Sequence, residues 1–98
     1  MKPHAVHPAA ENEYAEAAEY YSRLDPQLGR RFHDAIEGLI LDIRREPQRF
    51  PLFDQSIRRH FSEVFPYAVL YVDQTDRALI IAVMHMKRRP GYWKHRLD

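Results

Sequence analysis

The apolar residues of this chain change period partway along, from a helical spacing to an extended one, and that change sets the fold class. Pro8 suits a first helical position, where its missing N–H costs nothing. From Ala9 onward, Ala10, Tyr14, Ala17, Tyr21 and Leu24 recur at steps of four and three, so they share one face. Asp25-Pro26 ends that helix and begins another, with Asp as N-cap and Pro as first residue. Leu28, Phe32, Ile36, Leu39 and Ile43 make the second apolar stripe. Arg44 and Arg45 suit its C-terminal end, and Pro47 stops it. So short a break between amphipathic helices predicts an antiparallel hairpin.

Phe50-Pro51-Leu52-Phe53 reads as an apolar loop, and beyond it the period becomes two. Ile57 to Phe61, Tyr67 to Asp73 and Ala78 to Met84 are the predicted strands. The polar Gln74-Thr75-Asp76 joins the last two as a hairpin. His4 to His7 is a short candidate strand at a sheet edge. The expected fold is α+β: an N-terminal helical hairpin on one face of a small antiparallel β-sheet, with a meander as the simplest topology. At 98 residues, 45% of them apolar, the chain can build one core, and residues 1–98 read as a single domain.

The absence of cysteine excludes disulfides, zinc-thiolate sites and cysteine nucleophiles. The start MKPHAVHP has no apolar signal region, and no run is long enough to cross a bilayer, so a cytoplasmic, membrane-free protein is expected. The net charge of +1 is unevenly placed. Residues 1–50 hold seven Lys/Arg against nine Asp/Glu, whereas residues 51–98 hold eight against five. Much of that basic excess lies between His85 and Leu97, where Lys87, Arg88, Arg89, Lys94 and Arg96 surround Tyr92 and Trp93 with no acidic residue. Cations with aromatic faces suit a polyanion; a solubilising tail is the plainer alternative.

Arg58 and Arg59 are adjacent on a predicted strand and therefore face opposite ways. One of them can join His85, Lys87 and Arg88 on the open face, gripping phosphate or stabilising developing negative charge; pairing with the acids of the first helix is the structural alternative. His85, at a strand end, can exchange protons near neutral pH. The Tyr92 hydroxyl can position a substrate, or its ring can lock the tail to the sheet; for Trp93 packing is favoured. The histidines show no metal spacing, no nucleotide or hydrolase motif is present, and no acid pair suits metal-assisted hydrolysis. Neither metal nor cofactor is expected.

An ordered set of motifs adds a family. It runs from Pro8-Ala9-Ala10 with Glu13, through Ala17-x-x-Tyr20-Tyr21 and Leu28-Gly29-x-x-Phe32, to Pro47-x-x-Phe50-Pro51. It continues with Arg58-Arg59 and Phe65-Pro66-Tyr67-Ala68-Val69-x-Tyr71, and closes with His85-x-x-Arg88-x-Pro90-Gly91-Tyr92-Trp93. The chain resembles the RelE/ParE superfamily of type II toxin–antitoxin toxins, in particular those labelled plasmid stabilisation proteins. The resemblance implies a curved sheet and a cognate antitoxin that folds as it wraps the toxin, giving a hetero-oligomer. Phe50, Leu52 and Phe53 are then candidate antitoxin contacts.

RelE-like members cleave mRNA on the ribosome, whereas ParE-like members inhibit DNA gyrase without chemistry. Carrying the endonuclease positions across, Arg59, His85, Lys87, Arg88 and Tyr92 are the catalytic candidates. Arg58, Arg89, Lys94 and Arg96 are candidates for gripping nucleic acid or another target. Two departures reduce positive charge. Ala68 follows Tyr67 where endonucleases often carry Arg, and Leu52 and Phe53 stand where some carry lysines. The expected function is a growth-arresting toxin acting on gyrase or another topoisomerase. Ribosome-dependent mRNA cleavage is the alternative, and an inactive toxin-like binding module is a third reading.

Overall fold

The computed structural model describes residues 1–97 and contains no cis peptide bond among them. Helix initiation follows the two prolines. The His7 side chain accepts from Ala9 N at 3.0 Å and caps helix α1, Pro8–Leu24. Asp25 ends α1 and caps the next helix by accepting from Gln27 N at 2.9 Å, so α2, Pro26–Arg45, follows after one residue. The predicted stripes pack inward, with Ala10, Ala17, Phe32, Ile36, Leu39 and Ile43 buried. Leu24 does not join them: as the last residue of α1 it lies at the turn and is exposed.

Three short or medium strands precede two long ones. They are β1 (His4–Val6), β2 (Leu52–Asp54), β3 (Ile57–Phe61), β4 (Tyr67–Asp73) and β5 (Ala78–His85). The sheet order is β1-β5-β4-β3-β2. The meander from β3 to β5 is antiparallel, as its period and its hairpin turn require. Two features extend the expected antiparallel sheet. The apolar loop through Leu52 and Phe53 contains a strand, β2, which returns onto β3 through a turn at Gln55 with φ of 50°. The N-terminal strand β1 pairs in parallel with β5, making the sheet mixed. Parallel pairing needs a crossover, here supplied by the helical hairpin and the meander together.

Both faces of the sheet are apolar. Val69, Tyr71, Ala78, Ile80 and Val83 pack under the helices. Ile57, Ala68, Leu70, Ile81, Ala82 and Met84 form a second cluster on the opposite face, sealed by Trp93, which is 3% exposed. That face is therefore partly covered by the C-terminal tail rather than fully open. The register shifts between Leu70 and Tyr71, where Leu70 pairs with Ala82 and Tyr71 with Ile80. Ile81 is the extra residue of a β-bulge, which is why Ile81 and Ala82 both belong to the second cluster.

Candidate functional site

The tail is held by a side chain from the opposite end of the chain. Glu13 lies three residues after Ala10 and four before Ala17, on the buried face of α1. Its Oε1 accepts from Val83 N at 3.1 Å and Arg96 Nη1 at 2.8 Å. Its Oε2 accepts from Tyr92 OH at 2.6 Å and Arg96 Nη2 at 3.0 Å. Arg96 Nη1 also donates to Ile81 O at 2.9 Å. The arginine thus binds the carboxylate with both forks, the geometry that makes such pairs strong. Burial, then the hydrogen bond and charge of Glu13, push the Tyr92 hydroxyl well above its ordinary value. Tyr92 is a fixed, neutral donor here.

This strut separates the basic candidates. Arg96 has a 7% exposed side chain and is committed to Glu13. Arg58 turns to the helical side, donating to Gln48 O at 3.1 Å and Phe50 O at 2.8 Å in the loop after α2. Arg59 takes the other face, as alternation along β3 requires with Ile57 in the tail-side cluster. Its guanidinium carbon lies 4.3 Å from the Phe53 ring centroid and 4.5 Å from that of Phe61. Arg88 lies 3.9 Å over the Tyr92 ring, and Lys94 reaches Asp54 at 3.4 Å. Lys87 and Arg89 are exposed. His85 accepts from Lys87 N at 3.0 Å and sits edge-on to Tyr67 at 5.0 Å between centroids.

Two shallow grooves result. One, between α1 and the end of β5, brings together His85, Arg88, Tyr20, Tyr67 and the acids Glu13 and Glu16. The other, on the tail side, brings together Arg59, Arg88 and Lys94 with Phe53, Met86 and Trp93. Arg88 borders both, whereas His85 and Arg59 are in different grooves. Phe50, Leu52 and Phe53 also separate. Phe50 stacks on His60 at 3.7 Å, while Leu52 and Phe53 are exposed on β2. Glu13 is the functional-site residue that the pattern reading passed over. Its signal was a carboxylate between two buried alanines on one helix face, which demands a buried donor.

Two helices packed on an open mixed sheet, with a tail bolted across the far face, make an α+β fold. Residues 5–90 match the family described as ParE toxin of the type II toxin–antitoxin system, parDE. The chain belongs to that family. The fold is similar to that of a solved chain titled as the chromosomal ParDE toxin–antitoxin system from P. aeruginosa. The TM-score is 0.75 at 12% identity, over 87% of this chain and 96% of that one. No protein of curated function matches the chain. No helix among the described residues is long and apolar enough to cross a membrane.

Proposed function

We propose that this ParE-family toxin arrests growth, when free of its antitoxin, by binding DNA gyrase or a related topoisomerase without performing chemistry on it. The observation that carries this reading is the Tyr92 hydroxyl, bound to Glu13 at 2.6 Å and held protonated. An endonuclease needs its C-terminal aromatic or histidine and its cations to converge on one phosphate. Here the Tyr92 hydroxyl is engaged by Glu13, and Arg59 and His85 lie in different grooves. As a binding protein the same tail makes sense: it fixes a basic, partly apolar face in one shape. The exposed Leu52 and Phe53 lie at the margin of that face, where an antitoxin segment would cover it.

The alternative, metal-independent mRNA cleavage, draws support from His85 and Arg88, which do share a groove. Following DNA and protein synthesis separately after induction separates the readings. Early loss of DNA synthesis with intact mRNA is the expected outcome. Early loss of protein synthesis with cleaved mRNA replaces it with the nuclease reading. Tyr92→Phe and Arg88→Ala sharpen the comparison. Tyr92→Phe is expected to remain toxic, whereas the nuclease reading requires both variants to lose toxicity while folded.

A further inference from the structure

The tail-side groove, about 300 Å³ in volume, contains a donor that no other group among the described residues satisfies. Arg59 Nε is buried and has no hydrogen-bond partner, and the guanidinium makes no ion pair among the described residues. A buried donor left unmet is unfavourable, and a ligand acceptor that meets it gains by that amount. The Phe53 and Phe61 rings fix the plane of the group and leave its N–H edge as the remaining bonding direction. Phe53 and Met86, which line the groove, and the adjoining Phe61 are all exposed, so the apolar surroundings of Arg59 reach the surface.

We infer that Arg59 is the anchor of a docking site for a partner-protein segment that carries a carboxylate flanked by apolar side chains. The inference rests on the reading that this face binds protein rather than cleaving RNA. A carboxylate matches the planar fork two-for-two, and apolar neighbours match Phe53, Met86 and Phe61. A nucleic-acid strand fits less well. Lys94 is paired with Asp54 within the same groove and so is not a free cation for a phosphate run. The cations left for a ligand in that groove are Arg59 and Arg88, too few for a backbone track.

The test is a binding titration on the full-length chain followed by amide and arginine Nε–H resonances. The probes are a blocked hexapeptide of alternating Leu and Glu, the same peptide with Gln for Glu, and hexauridylate. The Glu peptide is expected to bind at least tenfold more tightly than the Gln peptide and to shift Arg59 Nε–H and Phe53. Arg59→Lys keeps the charge but not the fork, and should weaken the Glu peptide tenfold while leaving the Gln peptide unchanged. A spectrum unaltered away from β2 and β3 verifies that the variant is folded. Equal binding of the two peptides, an Arg59→Lys variant that binds like the parent, or tighter binding of hexauridylate at the same resonances overturns the proposal. The growth-arrest assay is read independently. Topoisomerase-type arrest with a failed titration removes the carboxylate anchor alone, whereas tighter hexauridylate binding together with cleaved mRNA removes both.

Discussion

Replacing Glu13 by Ala removes the carboxylate that joins α1, β5 and the C-terminal tail. Ala is the strongest helix former, so α1 itself does not weaken. The loss lies across the interface. The Arg96 guanidinium, with a 7% exposed side chain, loses both of its bonds to the carboxylate. Val83 N and Tyr92 OH lose their acceptor as well. Removing one partner from a buried ion pair costs about 3–5 kcal/mol, most of it from the charge left behind. For a domain of this size each kcal/mol moves the melting temperature about 4–8 °C, so the variant should melt at least about 12 °C lower. Thermal and urea melts followed by circular dichroism measure this directly. Glu13→Leu combined with Arg96→Met supplies the control, because an apolar pair of similar size removes both charges and should recover the part of the loss that comes from the stranded guanidinium, while Val83 N, Tyr92 OH and Ile81 O stay without their partners. A Glu13→Ala variant within about 1 kcal/mol of the parent would falsify the strut, because that is how an exposed pair behaves.

Three other outcomes follow from particular contacts. Burial pushes the Tyr71 hydroxyl up to about 12 while it donates to Pro47 O, so the folded state holds this proton after the unfolded chain releases it near pH 10. That contribution to stability is intact below pH 10 and is lost as pH rises through 12, about 3 kcal/mol in all; Tyr71→Phe should reduce the slope of stability against pH by one proton in this window. Gly29→Ala places a Cβ 2.8 Å from Ser22 Cβ and 2.9 Å from Ser22 Cα, and should force the helices apart at a loss of about 1–3 kcal/mol in urea unfolding. Trp93→Ala empties the centre of the tail-side cluster and should lower stability by about 3–5 kcal/mol, with the Phe53 ring resonances moving because the two rings lie 5.7 Å apart.

Local signals locate the helices and the three strands of the meander because each carries its own evidence: a Pro after a capping residue, a stripe, or an alternation. The remaining features depend on residues far apart in the chain. β1 is three residues long and pairs Ala5 with Leu79, and no periodicity in three residues can announce a parallel partner so distant. β2 reads as loop because Pro51 precedes it and its pairing with β3 is irregular. The facing of Arg58 and Arg59 was undecidable, because one step of register exchanges them; Ile57 settles it by entering the tail-side cluster. Tyr92 and Arg96 looked available in a basic tail because their acceptor, Glu13, is about eighty positions away.

The bulge at Ile81 and the strut at Glu13 solve one problem together. Pro8 begins α1, so β1 cannot extend along β5 beyond the bond from His7 N to Ile80 O. From Ile81 onward β5 would present bare backbone groups, an edge that invites another strand. The helix that displaced β1 supplies the cover. Glu13 takes Val83 N, and Arg96, held on Glu13, takes Ile81 O. Both bonds are made by side chains, so the edge is closed to strand addition without a sixth strand. The arginine that closes it brings the tail across the sheet and seats Trp93 on the second cluster. Tail cations drawn into this closure leave the binding surface, which leaves Arg59, unsatisfied on β3, as the group in that groove with most to gain from a partner. Antitoxin recognition by main-chain pairing at β5 would have to break the strut first, whereas recognition at the Arg59 groove leaves it intact.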